Sequence, residues 1–528
     1  MTGFASRTDD NKDDGPQAVH IPDVEKKFGD NADIGAQFLA EHDVEYTEEE
    51  SRRLRWKIDL RIVPLAAWAC GLQFVDKSGL GAAATYGLRE DLGLIGQEYS
   101  WCVSIFYFGY FTGSFVSGRG LQYFHAGKFI GVALFIWGGS LLGCIGATGF
   151  ASLMVLRFLL GVFESCLVPG LLLITTMWYT QEEQPLRFGL WTMTNGALPV
   201  PFLIIYYGID VSNTHQGLGH IQEGPITSWR LIFLILGLLS SLTGVLMFFF
   251  MPDSPLSATW LSDREKAIAI KRVAKDQLGV KNTHFKWEQV HETLKDPHAW
   301  LLVLQMFFSQ TAGSVTTNFL GIVISGFGYT ALKAQLFTAP NYAVQAVMQI
   351  IVSGLPTFFS CFRNMKQPLA AISSVVGVIG IALLYVTPAE DEYQHRRLAS
   401  CIIISFSGVN YTVVMSVIGT NIAGFTRKQI ITSTAFFLYC IANIITPQTF
   451  LGRESPRYHT GLAFVLACLS CYIVLSTVTW LMMKLENTRR DKMARHNPDY
   501  ESAALNENLM AGLQDQTDLQ NKHLRYSG

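Results

Sequence analysis

Charge is what this sequence has least of. Only 16% of its 528 residues are Asp, Glu, Lys or Arg, against about a quarter in a soluble domain. The formal net charge of -2 gives no pull toward nucleic acid or acidic partners. No GxxxxGK[ST] loop is present to cradle a nucleotide, and neither HExxH nor a nucleophile elbow occurs. No enzyme activity and no cofactor are therefore expected. The nine cysteines (Cys70, Cys102, Cys144, Cys166, Cys361, Cys401, Cys440, Cys468 and Cys471) are dispersed, nearly all within apolar runs. None has CxxC or metal-ligand spacing, so they read as packing residues. The first sixty or so residues are polar, so no cleavable leader is expected and the first hydrophobic span is predicted to serve as its own targeting signal.

What is present is apolar sequence in long runs. Hydrophobic residues make up 49% of the chain, and the mean hydropathy is +0.26. A helix crossing a bilayer needs about 20 predominantly apolar residues. Twelve spans meet that need, near 63–84, 99–116, 129–147, 153–174, 188–207 and 231–251, then 299–324, 337–360, 369–386, 398–424, 430–450 and 460–483. The predicted fold is thus all-α and membrane-embedded, twelve transmembrane helices in two bundles of six. The bundles span 57–252 and 299–484. Between them, residues 253–298 form a charged linker with helical spacing, including Asp263, Arg264, Glu265, Lys266, Lys271, Arg272 and Lys275. An N-terminal tail, 1–56, and a C-terminal tail, 485–528, flank the bundles, and residues 1–45 and 485–528 are polar and expected to be disordered. Thr47 followed by Glu48, Glu49 and Glu50 predicts a capping box that opens a helix leading into the first span.

Lys and Arg concentrate on one side of the predicted spans. Arg52, Arg53, Arg55, Lys57, Arg119, Lys128, Arg187, the linker, Arg363, Lys366, Arg427, Lys428, Arg489 and Arg490 fall together. Arg89, Lys333, Arg396, Arg397, Arg453 and Arg457 fall on the other. The excess predicts that both termini are cytoplasmic.

Four ionisable residues stand inside the spans, where each costs several kcal/mol unless paired or hydrated. They are Asp76 and Lys77 in the first span, and Arg157 and Glu164 in the fourth. Glu164 lies seven positions after Arg157, which sets them on nearly one helix face, about 10 Å apart. Asp76 and Lys77 point roughly 100° apart, so one can face a cavity while the other meets a neighbouring helix. Cations here can hold an anionic substrate, and a buried carboxylate can take up and release a proton. The same four could also be ion pairs that merely join two helices. Tyr107 and Tyr110 are either cavity hydroxyls or aromatic packing. Asn195 and Asn443 are either cavity amides or interhelical hydrogen-bonding groups. Gln305, Ser309, Gln310, Thr316, Thr317 and Asn318 give the seventh span a polar face suited to a cavity.

The combination of Gln73-Phe-Val-Asp-Lys77, Tyr99-Ser-Trp-Cys-Val-Ser-Ile-Phe-Tyr-Phe-Gly-Tyr110 and Arg157-Phe-Leu-Leu-Gly-Val-Phe-Glu164 resembles one family. Pro169-Gly170, Trp178-Tyr179, Glu183-Gln-Pro-Leu-Arg187, Trp229-Arg230 and Asn443-Ile-Ile-Thr-Pro-Gln448 extend the match. The chain is similar, over about residues 57–484, to the anion:cation symporters of the major facilitator superfamily, and most of all to their fungal allantoate-permease branch. Two parallel six-helix repeats are that superfamily's pattern. The resemblance implies proton sites at Asp76 and Glu164, and substrate or coupling roles for the bases Lys77 and Arg157. Relatives outside the fungal branch usually carry Arg where Lys77 stands, and lysine offers a point charge instead of a bidentate fork. The loop between the second and third spans departs from the branch, with Tyr123 for an arginine and His125 for a proline. The superfamily's Gly-x-x-x-Asp-Arg motif is absent from that loop, where Arg119 is a candidate substitute.

The resemblance implies proton-coupled symport of a small organic anion, a carboxylate, ureide or vitamin-like acid, across a fungal membrane. Asp76 and Glu164 would couple protons, while Lys77, Arg157, Tyr107, Asn195 and Asn443 would meet the substrate. Export of a secondary metabolite is one alternative. A nutrient sensor built like a transporter is another. The expected partners are the anion, protons and lipid, with no nucleic acid; a monomer in the plasma membrane is expected.

Overall fold

The computed structural model describes residues 44–180, 183–214, 226–276, 286–358, 364–388, 390–455, 457–495, 517–521 and 524–527. The N-terminal tail to residue 43, the linker centre around Asn282, and Cys361 lie outside the described residues.

The first helix starts where its capping box places it. Thr47 Oγ1 accepts from the Glu50 backbone N–H (3.3 Å), and Glu50 Oε2 accepts from that of Thr47 (3.1 Å). The two bonds satisfy donors that the first turn cannot pair internally. From there α1 runs without a break over Glu48–Thr85, 38 residues. At 1.5 Å per residue it outreaches a hydrocarbon core of about 30 Å, so its first turns project from the bilayer.

Eleven further membrane helices follow. They are α2 Glu98–Tyr123, α3 Ala126–Cys144, α4 Phe150–Trp178, α5 Gln184–Ala197 continuing as Pro199–Thr214, and α6 Ser228–Phe250. In the second half come α7 Pro297–Asn318 continuing as Leu320–Ser325, α8 Ala339–Phe358, α9 Lys366–Val386, α10 Gln394–Asn421, α11 Phe425–Thr449 and α12 His459–Arg495. The linker carries two helices, Asp263–Asp276 and Trp287–Lys295. Asp296 then caps α7 by accepting from His298 N–H at 3.0 Å, and Pro297 sits at the first position, where no N–H is missed. Among the described residues, nine helices are long and apolar enough to cross a membrane on composition alone. α2, α7 and α8 are the three of the twelve not among them, their apolar runs being diluted by glycine, hydroxyl and amide residues.

Glycine sets the closest contact near the junction. A Cβ on Gly109 of α2 would stand 2.1 Å from Phe158 O of α4, and one on Gly161 would stand 2.0 Å from Phe106 O. No side chain fits there, so the two backbones touch, as small-residue packing in membranes allows.

Hydrogen bonds between the halves cluster at the face away from the chain ends. Tyr99 Oη donates to Asn318 O (2.9 Å), Gln335 Nε2 to Thr85 Oγ1 (2.8 Å) and Gln448 Nε2 to Ser104 Oγ (3.0 Å). On the opposite face the polar ties bind each half to its own loops. Arg187 grips Asp59 with two bonds of 3.1 and 2.7 Å, while Arg55 and Arg272 share Glu183 at 3.1 and 2.6 Å. Asp253 Oδ1 accepts from Gly127 N–H (2.7 Å), an acidic tie to the loop between α2 and α3. Arg119, the substitute suggested by sequence for that loop, is exposed there.

The C-terminal tail corrects the sequence reading. Helix α12 continues to Arg495, and part of the tail beyond it packs against the protein instead of being disordered. Arg427 lies fully buried between Asp296, whose carboxylate it contacts, and Asp518 (Nε to Oδ1, 3.0 Å). Arg490 donates to the backbone carbonyls of Asp518, Asn521 and Leu524 at 2.7–3.2 Å. Asn421 and Asn487 each exchange a pair of bonds with the backbone near Tyr526 and Ser527. Polarity alone suggested disorder, but these polar residues satisfy one another on a buried surface.

Candidate functional site

Three positions of α1 face three different surroundings. Gln73 and Lys77 lie one turn apart and share a face. Asp76, rotated by about 100° from Lys77, points into the N-terminal bundle. There Asp76 Oδ2 accepts from Trp137 Nε1 of α3 at 3.0 Å, while Oδ1 is buried with no partner. The sequence reading did not single out Trp137; a buried tryptophan N–H needing an acceptor was the available signal.

Lys77 and Gln73 meet Glu164 of α4. Glu164 Oε1 accepts from Lys77 Nζ at 2.9 Å and from Gln73 Nε2 at 2.8 Å, and its other oxygen is buried and unpartnered. The glutamate side chain is fully shielded, while that of Lys77 is 14% exposed. Gln73 also reaches Tyr110 Oη, at 3.5 Å. The ammonium of Lys77 lies 5.2 Å from the ring centre of Tyr110 and 5.9 Å from that of Phe106, within cation–π range.

Arg157 is different. It is 2% exposed, its Nε and Nη2 have no hydrogen-bond partner, and its guanidinium lies 5.6 Å from the ring centre of Phe233. No carboxylate forms an ion pair with it among the described residues. Arg157 and Lys77 instead border one narrow cleft, together with Leu80, Val103, Phe106, Tyr107 and Asn318, whose free volume of about 10 Å³ is room for about one water. A buried guanidinium with free N–H groups beside a cleft has donors that an oxyanion could accept from.

The remaining sequence candidates divide. Tyr107 lines the cleft and also packs edge-on against Phe106 and Tyr439, with ring centres 5.0 and 6.0 Å away. Asn195 Oδ1 accepts from Cys70 Sγ at 3.3 Å, an interhelical contact with α1. Asn443 is buried, its amide donates to Tyr439 O of its own helix at 2.9 Å, and it is not among the residues that line this cleft. On α7 only Asn318 reaches the cleft wall, while Gln305 is turned toward α9 and α12, bonding Thr479 (2.6 Å) and Gln367 (3.1 Å). A helix-face argument marks polar residues but cannot say which neighbour they address.

The family model described as Major Facilitator Superfamily matches residues 66–447, most of the chain. The chain belongs to the Major Facilitator Superfamily. Its curated relatives include the allantoate permease of Saccharomyces cerevisiae, 33% identical over 506 residues, covering 93% of this chain and 90% of that protein. An uncharacterised transporter of Schizosaccharomyces pombe is 32% identical over 504 residues, covering 95% and 91%. Among solved structures, a D-xylose-proton symporter shares the fold at a TM-score of 0.59 and 14% identity, over 80% of this chain and 97% of that one. This Major Facilitator Superfamily protein is a transporter and not an enzyme. Of its four intramembrane charges, Lys77 and Glu164 pair between α1 and α4, Arg157 borders the cleft with Lys77, and Asp76 turns into the N-terminal bundle.

Proposed function

We propose that this transporter carries a small organic anion, a carboxylate, ureide or vitamin-like acid, coupled to protons. The observation that supports this most is Arg157: a buried cation with two free nitrogens, bordering the same cleft as Lys77. A cation so placed is stabilised by an incoming carboxylate, which would restore the hydrogen bonds that burial removed. The name of the S. cerevisiae relative, allantoate permease, points to a substrate of that charge.

Coupling follows from competition for Lys77. While Glu164 is ionised, Lys77 and Gln73 are committed to it. Protonation of Glu164 weakens that pair and frees Lys77 for the substrate carboxylate, beside Arg157. Release of both substrate and proton restores the pair and resets the site. Asp76, held by Trp137, is the second proton site, positioned to balance the charge of Arg157. The closed face away from the chain ends makes this an inward-facing arrangement if both termini are cytoplasmic. The plasma membrane is the proposed location.

Uptake of labelled carboxylates by a transporter-deficient yeast strain, at two external pH values, tests the reading. Accumulation of an acid that rises with external acidity supports it; uptake of neutral solutes alone would sink it. Accessibility tags at Gly3 and Asn282 test the topology, with labelling of either from outside intact cells overturning it.

A further inference from the structure

We propose that a phospholipid headgroup phosphate docks on the C-terminal half, in a cleft between α7, α9, α10 and α12 at the face away from the chain ends. The cleft is lined by Phe327, Tyr385, Arg397, Arg457, His459 and Leu462, among others. Arg397 lies at its base, only 4% exposed. Its guanidinium is 3.9 Å from the ring centre of Phe327, and its Nε has no hydrogen-bond partner. No acid forms an ion pair with it among the described residues. An aromatic ring covering one face leaves the N–H edge of a guanidinium for an oxyanion, the geometry that suits bidentate phosphate binding.

Two further groups gather at the same cleft. Arg457 is exposed, and the His459 ring packs edge-on against Tyr385 (5.1 Å between centres) with Nδ1 buried and unpartnered. Glu454, the acid next to this cluster in sequence, accepts from Thr460 with both oxygens, at 2.8 and 2.6 Å. Arg397, Arg457 and His459 thus bring basic hydrogen-bond donors to one cleft. That is the chemistry of any oxyanion, soluble or lipid-borne.

The bilayer-facing surface favours the lipid. Ile372, Val375, Ile379, Leu383 and Val386 of α9 are all 44–77% exposed. Their spacing of three and four residues makes one continuous apolar stripe that ends beside Tyr385 and Thr387 at the cleft. From Val375 to Val386 the stripe rises about 16 Å, close to half of the hydrocarbon thickness. An acyl chain lying along it would bring its phosphate level with Arg397 and Arg457.

Purified full-length protein in detergent would be titrated with dioctanoyl phosphatidic acid, dioctanoylglycerol and inorganic phosphate. Lipid retention is read by native mass spectrometry and Tm by thermal unfolding. Phosphatidic acid is expected to bind and to raise Tm, with the other two ligands inert. Arg397→Gln should weaken phosphatidic acid binding about tenfold, the loss expected for a charge-assisted bond. Arg457→Gln, on an exposed side chain, should also weaken it without core damage. Equal binding by wild type and Arg457→Gln, with Arg397→Gln either equal or unfolded, overturns the site. Inorganic phosphate matching the lipid makes it a soluble-anion site and overturns the lipid assignment. Dioctanoylglycerol matching phosphatidic acid leaves only the apolar stripe, which also overturns it.

Discussion

Lys77 Nζ lies 2.9 Å from Glu164 Oε1, joining α1 to α4 in the membrane interior. The pair costs desolvation on both sides, so it stabilises the protein little compared with an apolar contact of the same size. In the proposed mechanism, one proton on Glu164 is what breaks it. Gln73 Nε2, 2.8 Å from the same oxygen, can hold either protonation state of the acid in place.

Glu164→Gln imitates the protonated acid and cannot release a proton. The variant should exchange substrate across proteoliposome membranes in counterflow but fail to accumulate it against a gradient. Its residual transport should respond weakly to a pH step. Concentrative, pH-driven uptake by the purified variant would move coupling to Asp76 alone. Loss of counterflow as well, in a folded variant, would make the pair structural.

Arg157→Ala should raise the KM for the anion by about 10–100-fold, the loss of one or two charge-assisted bonds. Arg157→Lys should recover only part of that, since an ammonium cannot reproduce the planar fork. At position 77 the order is different: Lys77→Arg should retain more transport than Lys77→Ala. Initial-rate uptake with matched surface expression checks both series, and normal transport by a folded Arg157→Ala protein refutes the anion clamp.

Gly161→Ala tests the contact between α2 and α4. Its new methyl would stand 2.0 Å from Phe106 O, against backbone that cannot yield as a side chain does. A loss of about 1–3 kcal/mol or more is expected, read as a lower Tm and poor recovery from detergent. Gly118→Ala, where nothing lies within 4 Å of the new methyl, is the control and should leave Tm unchanged.

Asp518→Ala removes one of two carboxylates from fully buried Arg427. Breaking a buried pair in this way costs about 3–5 kcal/mol, so Tm should fall. Deleting residues 517–528 should lower it at least as far, because Arg490 then loses its carbonyl acceptors too. An unchanged Tm in both variants would show that the tail contributes nothing to stability.

The sequence by itself determined the membrane class and the helices. Apolar runs long enough to cross a bilayer, the Thr47–Glu50 box and the polar linker are local features, each set by hydropathy or by neighbours within a turn. It also exposed Asp76, Lys77, Arg157 and Glu164, because a charge in an apolar run is visible without any fold. Partner choice was not local. Whether Glu164 meets Lys77 or Arg157, that Asp76 turns to Trp137, and that Asn443 bonds its own helix depend on how helices rotate and pack. Those rotations are set by contacts such as Gly109 with Phe158 and Gly161 with Phe106, between residues distant in sequence. The docked tail shows the same limit. Composition reads Asp518 and Tyr526 as solvated, but only the assembled ends of α7, α11 and α12 offer them Arg427 and Arg490, so burial of that polar segment was decided by tertiary structure.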